Sequence, residues 1–144
     1  MLIREFCTKN VVTASPEETL YDAAKKMWEE NVGTVVIVDE EETPIGIVTD
    51  RDVAMKGVAL FEPTWAPLRE MMAQDIVVLN QDRDLFEAAR MMFEQGIRRI
   101  PIVDEDGKLA GIISFDDIMM IFGQEISHLA GAVAFGLCAA SGEK

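Results

Sequence analysis

Apolar positions along this chain follow a strand period, then a helix period, then two strand runs, and the whole order occurs twice. Val11-Val12-Thr13 is a short β-branched run. Ser15-Pro16-Glu17-Glu18 then supplies a helix N-cap, a proline at the first helical position and an acidic first turn. Leu20, Ala23, Ala24, Met27 and Trp28 recur at helical spacing and mark one apolar face. Asn31 stands where that helix should stop, and asparagine tolerates the left-handed conformation of a C-cap. Val35 to Val38 predicts a buried strand, Glu40 to Pro44 a turn, and Ile45 to Val48 a second strand, with Thr49 opening a second helix. The unit reads β-α-β-β-α.

Leu20-Tyr21-Asp22-Ala23-Ala24 returns as Leu85-Phe86-Glu87-Ala88-Ala89, Val38-Asp39-Glu40 as Val103-Asp104-Glu105, and Gly46-Ile47 as Gly111-Ile112, each pair 65 positions apart. The register needs no gap from Ile3/Leu68 to Gly57/Phe122. The expected organisation is a first copy over residues 1–60, a second over 68–124, and a C-terminal tail over 125–144 that is helical if ordered; Pro63 and Pro67 lie in the connection. One such unit cannot hide both faces of its sheet. The expected fold is therefore mixed α/β (α+β), with two pseudo-symmetric β-α-β-β-α repeats packed about a pseudo-two-fold axis that leaves two symmetric clefts.

Charge narrows the partners. A net charge of −13 repels a phosphate backbone, so nucleic acid is not expected; a small anion still fits where a local basic spot overrides the field. His128 is the only histidine, and Cys7 and Cys138 lie at opposite ends, so neither a metal site nor a Ser-His-Asp triad is supported. Glu40-Glu41-Glu42 lacks calcium-loop spacing and reads as a solvated turn. The N-terminus has no signal-peptide pattern, and Leu129 to Ala140 is too short to span a bilayer, so the expectation is a cytoplasmic chain with no membrane partner. Many methionines fall at helical spacings and read as core and helix-interface filler. Ala130, Ala134 and Cys138, with Ala132, Gly136 and Ala140, place small residues at four-residue spacing; a helix contact and a weakly ordered end both remain open.

The helix entry at Ser15-Pro16 to Leu20, the strand Arg99-Ile100-Pro101-Ile102-Val103-Asp104, and the matched segments Gly46-Ile47-Val48-Thr49-Asp50-Arg51-Asp52 and Gly111-Ile112-Ile113-Ser114-Phe115-Asp116-Asp117 resemble a pair of CBS domains, which pack into a Bateman module. The resemblance runs from about Ile3 to Gly123; Val36 departs from it where the second copy has Pro101, and the tail after Gln124 lies outside it. It implies a regulatory module that binds AMP, ADP, ATP or S-adenosylmethionine in its clefts and controls a separate partner chain, not an enzyme. It also implies disc-like homodimers, for which Trp28, Met55 and Phe93 supply an apolar surface. A purely structural interaction module with empty clefts is the competing reading. An enzyme comes third, because Asp52 and Asp117 lack a nearby nucleophile-base pair.

Thr49-x-x-Asp52 and Ser114-x-x-Asp117 are the candidate ligand contacts. The resemblance gives the hydroxyl a phosphate or ribose contact and the aspartate the ribose diol. A carboxylate is acceptor-only and suits two hydroxyl donors, while a helix start points free N–H groups at an anion. The plain alternative is a capping box, compatible with either role. Arg98 and Arg99 are expected beside ligand phosphates, where their planar fork fits; the first copy has Gly33-Thr34 there, so two occupied clefts would bind unequally. Pseudo-symmetry places Arg98 toward the cleft of Asp52 and Gly33 toward that of Asp117. Val12 and Val77 are expected to flank the adenine.

Overall fold

The computed structural model describes residues 1–142; the side chains of 137–141, and with them the Cys138 and Ala140 positions of the tail, lie outside the described residues. The first copy contains β1 (Thr13–Ala14), α1 (Leu20–Glu30), β2 (Thr34–Val38), β3 (Pro44–Thr49) and α2 (Asp50–Asp52). After a short α3 (Leu68–Met71), the second contains β4 (Leu79–Asn80), α4 (Leu85–Gln95), β5 (Arg99–Val103), β6 (Leu109–Ser114) and α5 (Phe115–Gly142). Each copy makes a three-stranded sheet with one parallel and one antiparallel pairing. Their registers coincide: Ile37 lies opposite Gly46 as Ile102 lies opposite Gly111. Asn31 and Gly96 close α1 and α4 in the left-handed region, at φ 53° and 64°.

The first helix begins later than Ser15-Pro16 suggests. Glu18 Oε2 accepts the Ser15 N–H at 2.6 Å and closes a turn. The Pro16 and Glu18 carbonyls accept N–H groups from Arg69 and Leu68, and the Leu20 and Tyr21 N–H groups donate to Ala66 and Thr64. That stretch is thus paired with the following segment, and the cap passes to Thr19. Its hydroxyl accepts the Asp22 N–H at 3.2 Å, while the Asp22 carboxylate accepts the Thr19 N–H at 2.9 Å. The first strand is likewise Thr13–Ala14 rather than Val11 to Thr13, which leaves Val11 and Val12 beside a cleft.

A second departure lies in the helix that Thr49 opens. After one α-turn it winds as a π-helix over Val53–Ala59, with the Leu60 N–H donating to the Met55 carbonyl. The matching stretch of α5 is regular. Gly57 occupies the position of Phe122, and glycine is a weak helix former that gives the turn no side chain to anchor it. The Lys56 ammonium donates to the Met71 carbonyl instead of a helical neighbour.

The two cores exchange their leading segments. Ile3 and Cys7, from the start of the first copy, are buried with Leu85, Ile100, Ile102 and Ile113 of the second. Ala66, Leu68 and Met71, from the start of the second, are buried with Leu20, Val35, Ile37 and Val48 of the first. The crossing is pinned symmetrically. Ile3 and Arg4 N–H groups donate to the Arg83 and Gln81 carbonyls, as Leu68 and Arg69 donate to Glu18 and Pro16. Arg4 pairs with Asp82 at 3.1 Å, and Arg69 pairs with Glu17. Neither copy completes its core alone.

α5 is one helix of 28 residues. Ile118, Ile121 and Phe122 pack on the second core, and from Gly123 onward the described residues are exposed. The apolar stretch is longer than Leu129 to Ala140: the 22 residues Phe115–Gly136 are long and apolar enough, by length and composition, to cross a membrane.

Candidate ligand clefts between the copies

Glycine lets the exchanged segments lie on the sheets. A Cβ on Gly111 would sit 2.7 Å from Cys7 Sγ and 2.9 Å from the Thr8 carbonyl, and one on Gly46 would collide with the Met72 side chain. Thr8 consequently pairs with Ile112 through N–H···O bonds of 2.9 and 3.0 Å, and Ala73 lies opposite Ile47. Each crossing forms one wall of a cleft.

The first cleft has a volume of about 250 Å³ and is lined by Val12, Gly33, Thr34, Arg99, Ser114 and Asp117, together with Thr8, Asn10 and Val32. The second, about 200 Å³, is lined by Ile47, Ile76, Val77, Ile97, Arg99 and Pro101. A polar hollow of about 350 Å³ is lined by Thr49, Asp50, Arg51, Arg98, Arg99, Ser114 and Asp116. Arg99 borders all three.

Five of the sequence candidates therefore meet in one cleft: Val12, Gly33, Arg99, Ser114 and Asp117. The other candidates separate. Val77 shares its cleft with Arg99 but not with Thr49 or Asp52. Thr49 faces the hollow, and Asp52 borders none of the three; its Oδ2 accepts the Thr49 N–H at 2.9 Å and lies 3.1 Å from the Thr49 hydroxyl. Arg98 does not reach the Val77 cleft. Its guanidinium lies 3.5 Å from an Asp116 carboxylate oxygen and 5.3 Å from the Phe115 ring centroid, an exposed ion pair backed by a cation–π contact.

Capping fixes Asp117. Its Oδ2 accepts the Ser114 N–H at 2.8 Å, and the Asp117 N–H donates to Ser114 Oγ at 3.1 Å. A carboxylate has two oxygens, so the cap leaves acceptor capacity on the cleft side for a hydroxyl donor. Thr34 adds a feature that sequence reasoning passed over as merely uncharged. Its Oγ1 is buried with no hydrogen-bond partner among the described residues, and the residue borders the same cleft. A buried hydroxyl without a partner costs about 1–3 kcal/mol. No local motif announces it. Arg51, Asp50 and Asp116 around the hollow were also not singled out as ligand contacts; only their closeness to the paired motifs in sequence could have pointed to them.

The family model of the CBS domain matches residues 3–58 and again 68–123. The uncharacterized protein MK0525 of Methanopyrus kandleri is 41% identical over 120 residues, which are 83% of this chain and 61% of that protein, so the chain spans under two thirds of that relative's length. Among solved structures, the CBS domain pair of protein MJ0100 in complex with 5′-methylthioadenosine and S-adenosyl-L-methionine superposes with a TM-score of 0.79 and 27% identity, over 87% of this chain and 98% of that one. CBSX2 in complex with AMP superposes with a TM-score of 0.72 and 26% identity, over 85% and 96%. Matched in both halves and folded as two exchanged β-α-β-β-α units, the chain belongs to the CBS domain family and carries a pair of these domains.

Proposed function

We propose that this CBS pair is a sensor: the cleft of Val12, Gly33, Thr34, Arg99, Ser114 and Asp117 binds an adenine nucleotide of the AMP, ADP or ATP type, and its occupancy regulates a partner protein. One observation carries the reading. A ribose-type acceptor (Asp117) and a phosphate-type donor (Arg99) converge on one cleft with an apolar wall at Val12. The adenosyl ligands of MJ0100 and of CBSX2 support the same ligand class here. Ser114 and Asp117 serve this role without chemistry, since their capping bonds hold them as fixed polar groups. The polar hollow, with Arg51, Arg98 and Arg99 beside Thr49, is where a longer phosphate chain would extend.

The working form is a cytoplasmic homodimer. Trp28 and Phe93 occupy equivalent positions of α1 and α4 and are 84% and 89% exposed, with exposed Tyr21 and Phe86 seven residues earlier on the same helices. Large aromatic side chains left in water at matched sites suit an isologous contact with a second copy.

A thermal-shift panel tests the function. Adenosine, AMP, ADP, ATP, S-adenosylmethionine, GMP and CMP are added in turn; a ligand at one hundred times its Kd stabilises by about 2.7 kcal/mol. Adenine nucleotides should raise the melting temperature and GMP and CMP should not. A response to S-adenosylmethionine alone would make the module a sensor of that sulfonium, whose positive charge suits Asp117. A flat panel would favour the interaction module with empty clefts.

A further inference from the structure

We propose that the C-terminal part of α5 is one strand of a two-stranded coiled coil, whose other strand is the same helix of a second copy. Met119, Phe122, Ile126, Leu129, Val133 and Gly136 follow one another at alternating spacings of three and four. That 3.5-residue period is the seam of a left-handed coil, with Met119, Ile126 and Val133 at one core position and Phe122, Leu129 and Gly136 at the other. β-branched residues at the first position and leucine at the second favour two strands. Phe122 anchors the seam to the folded body, its ring stacked on Phe86 at 5.1 Å. Beyond it the seam is unpartnered: Ile126, Leu129 and Val133 are 66%, 68% and 62% exposed.

A second copy fits this seam better than any other occupant. A lone helix holding Gly123, Gly131 and Gly136 gives up about 1 kcal/mol at each glycine and has nothing to repay it in water. An identical helix buries the same seam on both sides. The flanking positions Gly123, Ala130 and Ala132 are small, so the backbones approach closely, and Glu125 meets no like charge from an equivalent flank. A lipid surface fits less well. Phe115 to Gly142 contains no lysine or arginine, which a helix lying on anionic lipid would carry. A transmembrane span of about 20 residues placed beyond the folded body would have to include Glu125 and His128, and an ionisable residue within a bilayer is costly. Pairing of the tails does not depend on ligand in the clefts.

The test is sedimentation equilibrium of the full chain, alongside the tail variant Leu129→Glu with Val133→Glu, the face variant Trp28→Glu with Phe93→Glu, and the control Ala134→Glu on the outer side of the tail. Circular dichroism and the melting temperature confirm that each body is folded. The coil joins face-paired dimers to one another, so the tail pair should reduce the assembly to the dimer, Ala134→Glu should leave it unchanged, and the tail and face pairs together should give the monomer. A parent mass that the tail pair does not change, a monomeric parent, or an equal loss with Ala134→Glu overturns the coil. Flotation of the parent, but not the tail variant, with phosphatidylcholine vesicles would also overturn it and assign the seam to membrane.

Discussion

Arg99 and Arg98 are neighbours in sequence but differ in what they border. Arg99 borders both clefts and the polar hollow, whereas Arg98 is drawn to Asp116 and the Phe115 ring. A charge-assisted hydrogen bond contributes about 1.5–3 kcal/mol, and about 1.4 kcal/mol is tenfold in affinity. Arg99→Ala should therefore weaken AMP binding about tenfold or more while adenosine, without a phosphate, changes little. Arg98→Ala should have the smaller effect on both. Calorimetric titration of each variant with AMP and adenosine decides this; equal AMP affinity in Arg99→Ala and parent would reduce Arg99 to a surface ion-pair residue. Residues of this kind were legible in sequence only where their role is local. Ser114 and Asp117 share a helix turn, so spacing alone places their cap. Arg98 is held by Asp116 and Phe115 of its own copy, across the sheet from it, and neither that contact nor the unpartnered Thr34 hydroxyl is announced by the residues adjacent in sequence.

Among the elements, the exchanged leading segments matter most to stability. Ile3 and Leu68 are fully buried, each in the core of the opposite copy. Cutting such a side chain to alanine costs about 2–5 kcal/mol. Ile3→Ala and Leu68→Ala should each lower stability by that amount in urea denaturation, and each should shift one shared cooperative transition. Two transitions, with only one moved by each variant, would show that the copies fold independently. Helix starts follow a finer logic. The backbone N–H of Thr19, and its hydroxyl, hold the Asp22 carboxyl below the ordinary carboxylate range, with Lys26 and Lys25 adding to the effect. A depressed folded value means that the contribution is complete above the unfolded value and is lost as pH falls through the folded one. Asp22→Asn should thus destabilise near neutral pH, and the gap from the parent should close as pH drops below the carboxylate range. A gap independent of pH in melting curves would contradict the cap. The sequence pattern located β2, β3 and the left-handed end of α1 at Asn31, because those signals lie within a few residues, and it set the first strand two residues early. It misplaced the start of α1 because Ser15-Pro16 is recruited by the backbone of residues 66–69, a contact that local pattern does not encode, and the π-turn after Asp52 was equally silent.

The pair as assembled explains why the clefts exist and why they differ. Repetition at a fixed offset was enough to expect two copies and two clefts, since one copy has no second layer to cover its sheet. The sequence placed the arginines toward the cleft of Asp52, whereas Arg99 borders both clefts and meets Gly33, Thr34 and Asp117 in the first. Asp117 opens onto the first cleft, whereas its counterpart Asp52 is withdrawn at the head of a helix that turns into a π-helix. One well-equipped cleft and one poorer one follow, within a chain whose charge of −13 makes any bound anion depend on its few arginines. The most direct test is calorimetric titration of AMP into the full chain and into Asp117→Ala. The parent should bind, and the variant should lose about tenfold or more for AMP and adenosine alike, because the lost carboxylate grips the ribose rather than the phosphate. Undiminished AMP binding by Asp117→Ala, or no heat with the parent, would contradict an adenosyl site in this cleft.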